Sequence, residues 1–435
     1  MNNEMTKRAL SLPGTPGRGQ GRGMRRVRLR AAIARQTTFN RRSPASGCRE
    51  RLDPSPRSTG EREVAAWRFV LCLLLALVCT SAFARDRWTP EQAKTWHDKT
   101  PWLVGCNFIP STAINELEMW QADTFDLPTI DRELGFAEKI GFNSVRVFLH
   151  NIPWEQDSQG YLKRLDQFLE CANKHHIGVM FVLFDSCWDP HPMPGKQRDP
   201  KPGVHNSGWV QCPGADVLAD PAKQAKLEPY VKGIVGRFKD DSRVHVWDVW
   251  NEPDNLNDSS YGNKNLEQEP ADKLAKTLPL LKKAFEWARQ ADPSQPLSSG
   301  VWHGEFSDDK LTEIARVQLE MSDVTTFHAY DPLEKTKARV DSLKRFGRPL
   351  ICTEYMARPT GSTFEAILPY FKQQKIGAYN WGFVAGKSNT IYAWDTWQKP
   401  AAAEPKIWFH DIFRPNGTPF DQKEKDLIQS LTGAK

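Results

Sequence analysis

"VHVWDVWNEPDN" (244–255) begins as a buried strand and breaks off in polar and turn-forming residues. Val244, Val246, Trp247, Val249 and Trp250 are apolar; Asn251, Glu252, Pro253 and Asp254 follow at once. A nearly continuous apolar run fits a parallel strand covered on both faces. Proline fixes φ and lacks an N–H, so the ladder must stop at Pro253, leaving an amide and a carboxylate at the strand tip. The residue before a proline avoids helical geometry, so Glu252 is expected to be extended.

The same pattern repeats on both sides of this stretch. Before it lie strands at 102–111 ("WLVGCNFIPS"), 144–150 ("SVRVFLH") and 178–184 ("GVMFVLF"). Helical spacing of apolar residues fills 130–141, 162–176 and 227–241. In the second of these, Leu162, Leu165, Phe168, Leu169 and Ala172 share one face. After it, strands are predicted at 296–302, 323–330, 349–356 and 377–384, with helices near 270–291, 308–321, 333–346, 363–376 and 421–431. Alternating strands and helices mark an α/β protein, and eight such units predict a (β/α)8 TIM barrel, a single catalytic domain over residues 85–435. A doubly wound sheet would bring a glycine-rich loop after strand one; "CNFIPST" has none.

In such a barrel the functional side chains stand at the C-terminal strand ends. Those ends carry Arg146 (strand two), Asn251 and Glu252 (four), His328 and Tyr330 (six), Glu354 (seven) and Trp381 (eight). Barrel closure brings Glu252 and Glu354 to one mouth. Two carboxyl groups flanking one bond are what glycoside hydrolysis needs: one protonates the leaving oxygen, the other attacks the sugar or activates water.

"WNEP" after strand four, "TEY" at strand seven, the strand-two Arg, "HAY" at strand six and the strand-eight Trp together resemble the clan A β-glycoside hydrolases. The resemblance covers roughly 100–400 and is closest to family 5, the cellulase and mannanase group. It implies Glu252 as general acid/base and Glu354 as nucleophile in a retaining double displacement. It further implies Asn251 on the sugar 2-hydroxyl, Arg146 and Tyr330 supporting Glu354, His328 on the acid/base or substrate, and Trp381 as the platform under the sugar. One departure stands out. Many members carry a His near the end of strand three, where this chain reads "FDSCWDPHP", with Asp185 and Trp188 there and His191 beyond.

Trp188, Trp209, Trp302 and Trp394 follow strands or sit in long loops and are candidate subsites; packing explains each equally well. Trp397, His303 and Glu305 are further cleft candidates. The loop 185–225 is rich in Pro and Gly and is expected to be an irregular wall of the cleft, with "DNLNDSSYGNKN" (254–265) opposite. Cys187 and Cys212 flank part of that loop, and an exported protein permits a disulfide between them, with free thiols as the alternative. His175 and His176 end a helix at the barrel bottom, where a favourable helix terminus explains them better than a metal.

Residues 1–84 hold 16 Lys and Arg against 5 Asp and Glu, so the net +6 of the chain leaves residues 85–435 at −5. That balance argues against nucleic acid as the main domain's partner. Residues 1–63 read as a disordered leader, or as sequence upstream of the real start. Residues 64–84 carry Arg68, an apolar run from Phe69 and Ala82-Phe83-Ala84, the form of a signal peptide cleaved after Ala84; an uncleaved membrane anchor is the alternative. The expectation is therefore a secreted or periplasmic monomer acting on a β-linked glycan such as glucan, mannan or xylan. It needs no cofactor or metal, since carboxylates do both chemical tasks. A non-catalytic carbohydrate-binding protein and a transglycosylase are the alternatives.

Overall fold

The computed structural model describes residues 85–257, 269 and 272–434. The leader 1–63, the segment 64–84 and the part of the strand-four loop beyond Asn257 up to 268 lie outside the described residues.

The eight strands are β1 (Val104–Asn107), β2 (Ser144–Phe148), β3 (Gly178–Val182), β4 (Val244–Asp248), β5 (Leu297–Ser298), β6 (Thr325–Ala329), β7 (Leu350–Tyr355) and β8 (Gly377–Asn380). Every laddered pair is parallel, in the order β5-β4-β3-β2-β1-β8-β7-β6. A single bridge between Val301 and Phe327 joins the two ends of that order, so the sheet is a nearly closed (β/α)8 barrel. β5 is far shorter than 296–302. Ser299 leaves the ladder: its N–H donates to Ser322 Oγ at 3.0 Å and its hydroxyl to Trp250 O at 2.8 Å. The other strands form where apolar residues run on, and each is almost wholly buried.

Helices occupy the predicted intervals, among them Leu127–Lys139, Ser158–Lys174, Leu227–Arg237, Lys273–Gln290 and Leu333–Lys344. In Ser158–Lys174, Asp157 caps the first turn by accepting from Gly160 N–H at 2.9 Å. Tyr161, Leu165, Phe168, Leu169 and Ala172 form its buried stripe, and Leu162 lies at the edge, half-buried. Residues 185–225 are not wholly irregular: they contain one-turn helices Ala215–Leu218 and Pro221–Gln224.

A helix that periodicity did not reveal, Pro90–Lys99, closes the bottom of the barrel. Ala93, Trp96 and neighbouring Trp88 pack on Leu103, Met180, Val246, Val324, Ile351 and Tyr379. Asp323 pins this plug, accepting from Arg85 at 2.7 Å and Trp88 N–H at 2.8 Å. With the bottom filled by this helix, the C-terminal mouth is the open end of the barrel among the described residues.

Candidate active site

Arg146, fully buried in β2, organises the mouth. Its Nε and one terminal nitrogen donate to Asp248 Oδ2 at 3.0 and 2.8 Å. That same terminal nitrogen reaches Asn251 Oδ1 at 2.7 Å. The other reaches Asn107 Oδ1 at 2.8 Å and Glu354 Oε1 at 2.9 Å. One cation thus ties β1, β2, β4 and β7 together. Two buried carboxylates raise its affinity for the proton more than burial lowers it, so it stays charged.

Glu252 and Glu354 face each other. One oxygen of each, together with a ring nitrogen of His328, falls within 4.8 Å of the others. Their surroundings differ. Glu354 accepts from Arg146 and from the Tyr330 hydroxyl at 2.7 Å. Glu252 pairs with His328 Nδ1 at 2.8 Å and accepts from Asn255 Nδ2 at 2.6 Å and from the Cys187 thiol at 3.3 Å. Burial pushes Glu252 up to about 7; the Cys187 and Asn255 bonds oppose this and the Asp254 charge adds to it. Burial also raises Glu354, but His328, Arg146 and Tyr330 all favour its ionised form. His328 is driven down to about 4, chiefly by burial.

Glu252 is not extended. Its φ is +46°, in the left-handed region that a residue with a side chain seldom adopts, and less readily still before proline. The chain turns back here at once: Asn255 N–H donates to Glu252 O at 2.9 Å. Trp188 and Met356, flanking the same site, also have positive φ, at 65° and 77°. Positive φ also occurs at residues that follow helix ends away from the site, such as His176, Asp292 and Lys375; beside the mouth it falls on a glutamate, a tryptophan and a methionine, which adopt it less readily than Asn or Asp.

Asn251 donates to Asp185 Oδ1 at 2.9 Å, and Asp185 accepts from Trp209 Nε1 at 2.6 Å. The tryptophans then separate by place. Trp188, Trp302, Trp381 and Trp394 line the cleft with both glutamates. Trp209 does not: it is buried behind Trp381, with ring centroids 5.7 Å apart, so its candidacy as an open subsite falls. Trp397, also buried, backs Trp188 in a stacked pair. His303 lines the cleft, whereas Glu305 is exposed and paired with Lys310 at 2.6 Å. His191 lines a separate pocket with Asn151 and Glu155; Cys187 and Asp185 occupy the end of strand three.

The candidate disulfide is not formed. Cys187 and Cys212 are both free thiols with different partners: Cys187 faces Glu252, and Cys212 faces Asn151 Oδ1 at 3.4 Å. Asp185 bridges by backbone to Cys212 instead, its N–H donating at 2.6 Å.

Glu252, His328 and Glu354 have the donor types of a cation site, but Arg146 bonded to Glu354 supplies a positive charge there already. Asp131, Cys171 and His175 form a second such group. There Lys174 and His175 already bond Asp131 at 2.9 and 2.8 Å.

Sequence reasoning missed Asn107, Asp248, Cys187, Asp254 and Asn255. Asn107 and Asp248 end β1 and β4 facing Arg146, a position open to the strand-end argument that singled out the others.

The sequence model of Glycosyl hydrolase family 10 matches residues 204–314, which hold β4 and Glu252. No curated protein matches. Several solved structures do. An exo-beta-1,4-mannosidase from Opitutaceae bacterium strain TAV5 aligns at 19% identity and TM-score 0.50, over 76% of this chain and 59% of that one. The endo-1,4-beta-mannanase of Rhizomucor miehei aligns at 14% and 0.48, over 76% and 97%. A GH5_18 variant from Streptomyces cattleya, in complex with Manb1-4GlcNAc, aligns at 11% and 0.48, over 76% and 80%. At these identities the likeness is one of fold. Barrel, carboxyl pair and family match together mark a glycosidase on a (β/α)8 barrel, similar to Glycosyl hydrolase family 10 over residues 204–314.

Proposed function

We propose that the protein hydrolyses β-linked glycans with retention of configuration, Glu354 as nucleophile and Glu252 as acid/base. The observation that carries this is the pair of carboxyl oxygens within 4.8 Å of one another in opposite surroundings. Retaining enzymes hold their carboxyl groups about 5–5.5 Å apart, and inverting ones leave room for a water. Glu354, beside Arg146 and Tyr330, is held as the charged attacker; Glu252, buried and with no Lys or Arg bonded to it among the described residues, keeps a proton near neutral pH.

In the first step Glu354 bonds to the anomeric carbon, the C–O bond to the leaving sugar breaks, and the Glu252 proton goes to the departing oxygen. In the second, Glu252 takes a proton from water. The hydroxyl bonds to the anomeric carbon and Glu354 is released, so one water is consumed and both glutamates return to their starting state. Asn251, fixed by Arg146 and Asp185, would hold the 2-hydroxyl. Trp381, braced by Phe148 and Trp209, would lie under the ring. Trp302 and Trp394, which line the cleft on the Tyr330 side, would meet further sugars, and Trp188 would stand beside the captured ring. Export through residues 64–84 belongs to the same proposal; the N-terminal sequence of the secreted product tests it.

Proton NMR of a panel of aryl β-glucosides, β-mannosides and β-xylosides is the direct test. The first-formed sugar should be the β anomer, and Glu354→Ala should abolish turnover. An α anomer as first product would overturn double displacement.

A further inference from the structure

The loops after β3 and β8 are locked to each other across the mouth. Asn206 N–H donates to Ser388 O, His205 N–H to Thr396 Oγ1 and Ala401 N–H to Gly203 O, each at 2.9 Å. A Cβ on Gly203 would stand 2.0 Å from Ala401 O, so the two backbones touch directly. Trp188 stacks on Trp397, with centroids 5.6 Å apart and planes at 18°. Between β3 and β8 in the sheet lie β2 and β1, so this contact arches over the ends of two strands. The loop after β1 packs beneath the arch: Lys387 N–H donates to Ser111 O at 3.0 Å, and Asn115 Nδ2 to Gly208 O at 2.8 Å. Trp188 N–H carries the wall on to Asn257, after β4, at 3.0 Å.

The opposite side differs. Past Glu252 and Tyr330 the cleft runs on to Asp331, Lys335 and Arg339, and the Lys335 side chain is 76% exposed. Among the described residues no loop is strapped across this side.

We infer that the cleft is blind at one end and that the enzyme removes sugar from the non-reducing end of its glycan, acting as an exo-glycosidase. This rests on the roles proposed for Glu252 and Glu354. The acid protonates the oxygen of the leaving glycan, so that glycan extends past Glu252 towards the open side. The sugar taken by Glu354 lies the other way, over Trp381 and against the wall of Trp188 and His205. In a β-glycan cleaved in this sense the captured sugar is on the non-reducing side. A chain continuing beyond it would meet the arch.

The test uses the full chain and β-1,4-linked manno-, cello- and xylohexaose, each with a fluorophore on its reducing end. Each is offered free and with a 4-O-methyl cap on its non-reducing terminus, beside the matching 4-nitrophenyl β-glycosides. The labelled pentaose should be the first product, and the cap should slow cleavage at least about 100-fold. Turnover of an aryl glycoside but of no hexaose also fits a one-sugar pocket. Labelled trimer or tetramer as first product, with the cap tolerated, overturns the inference and leaves the hydrolase reading standing. Cleavage of no probe at all overturns both.

Discussion

The Tyr330 hydroxyl and Arg146 bind different oxygens of Glu354, at 2.7 and 2.9 Å. The carboxylate is therefore clamped at both ends and keeps one orientation. The two clamps are unequal. Tyr330 acts on Glu354 alone, whereas Arg146 also neutralises Asp248, which is fully buried. Arg146→Met should therefore leave two buried carboxylates without their cation. Breaking a buried ion pair from one side typically costs about 3–5 kcal/mol, so a large drop in melting temperature is expected along with lost turnover. Tyr330→Phe leaves that network whole. It should lower kcat with a melting temperature close to wild type, and paired thermal denaturation and kinetics check the contrast.

In the proposed reaction the two glutamates set the pH profile. Glu252 must carry a proton to act as acid, and burial holds it up to about 7. Activity should therefore fall as pH rises through about 7. Glu354 must be ionised, and burial raises it above the ordinary carboxylate range, so activity should also fall on the acid side. Asp254 adds to the rise at Glu252 through its charge. Asp254→Asn should move the alkaline limb of kcat/KM to lower pH; a limb that stays in place would show that Asp254 is electrically remote. The same substitution weakens the anchor of Trp302, whose Nε1 donates to Asp254 at 2.7 Å. A higher KM is therefore expected in the same titration.

Much of this site was legible because a barrel reduces a three-dimensional question to a one-dimensional one. Each apolar run ends at the mouth, so Arg146, Glu252, His328 and Glu354 could be picked as the polar residues where runs stop. The same logic held less well where side chains compete with the ladder. Ser299 bonds Trp250 and Ser322, which cuts β5 to two residues, and no periodicity encodes that. Glu252 shows a second limit. Local rules for the residue before proline favour extended geometry, yet the turn that returns Asn255 to Glu252 imposes φ +46°. Trp209 shows a third: nothing in a loop sequence separates a tryptophan that faces sugar from one that braces it.

Cysteine spacing was the weakest guide, because two cysteines flanking a loop can also face different neighbours. Cys187 lies against Glu252 and Cys212 against Asn151. Peptide mapping of alkylated, unreduced protein should recover Cys187 and Cys212 as separate alkylated peptides. Reducing agent should change neither activity nor melting temperature. Recovery of one cross-linked peptide would contradict this arrangement.

The last prediction separates the two halves of the reaction. A sugar leaving group is a poor one and needs the Glu252 proton; general acid catalysis is worth about 10²–10⁴-fold. Glu252→Gln should lose that much on oligosaccharides. A 2,4-dinitrophenolate leaves without help, so with that substrate the first step should survive and the glycosyl-enzyme on Glu354 should accumulate, visible as a burst followed by slow release. Release is slow because water then lacks its base. Azide needs no base, so added azide should speed release and give a glycosyl azide of the starting β configuration. In Glu354→Ala the anion would instead enter from the vacated face and give the α product. If azide yields the same anomer with both variants, the roles assigned to Glu252 and Glu354 are wrong.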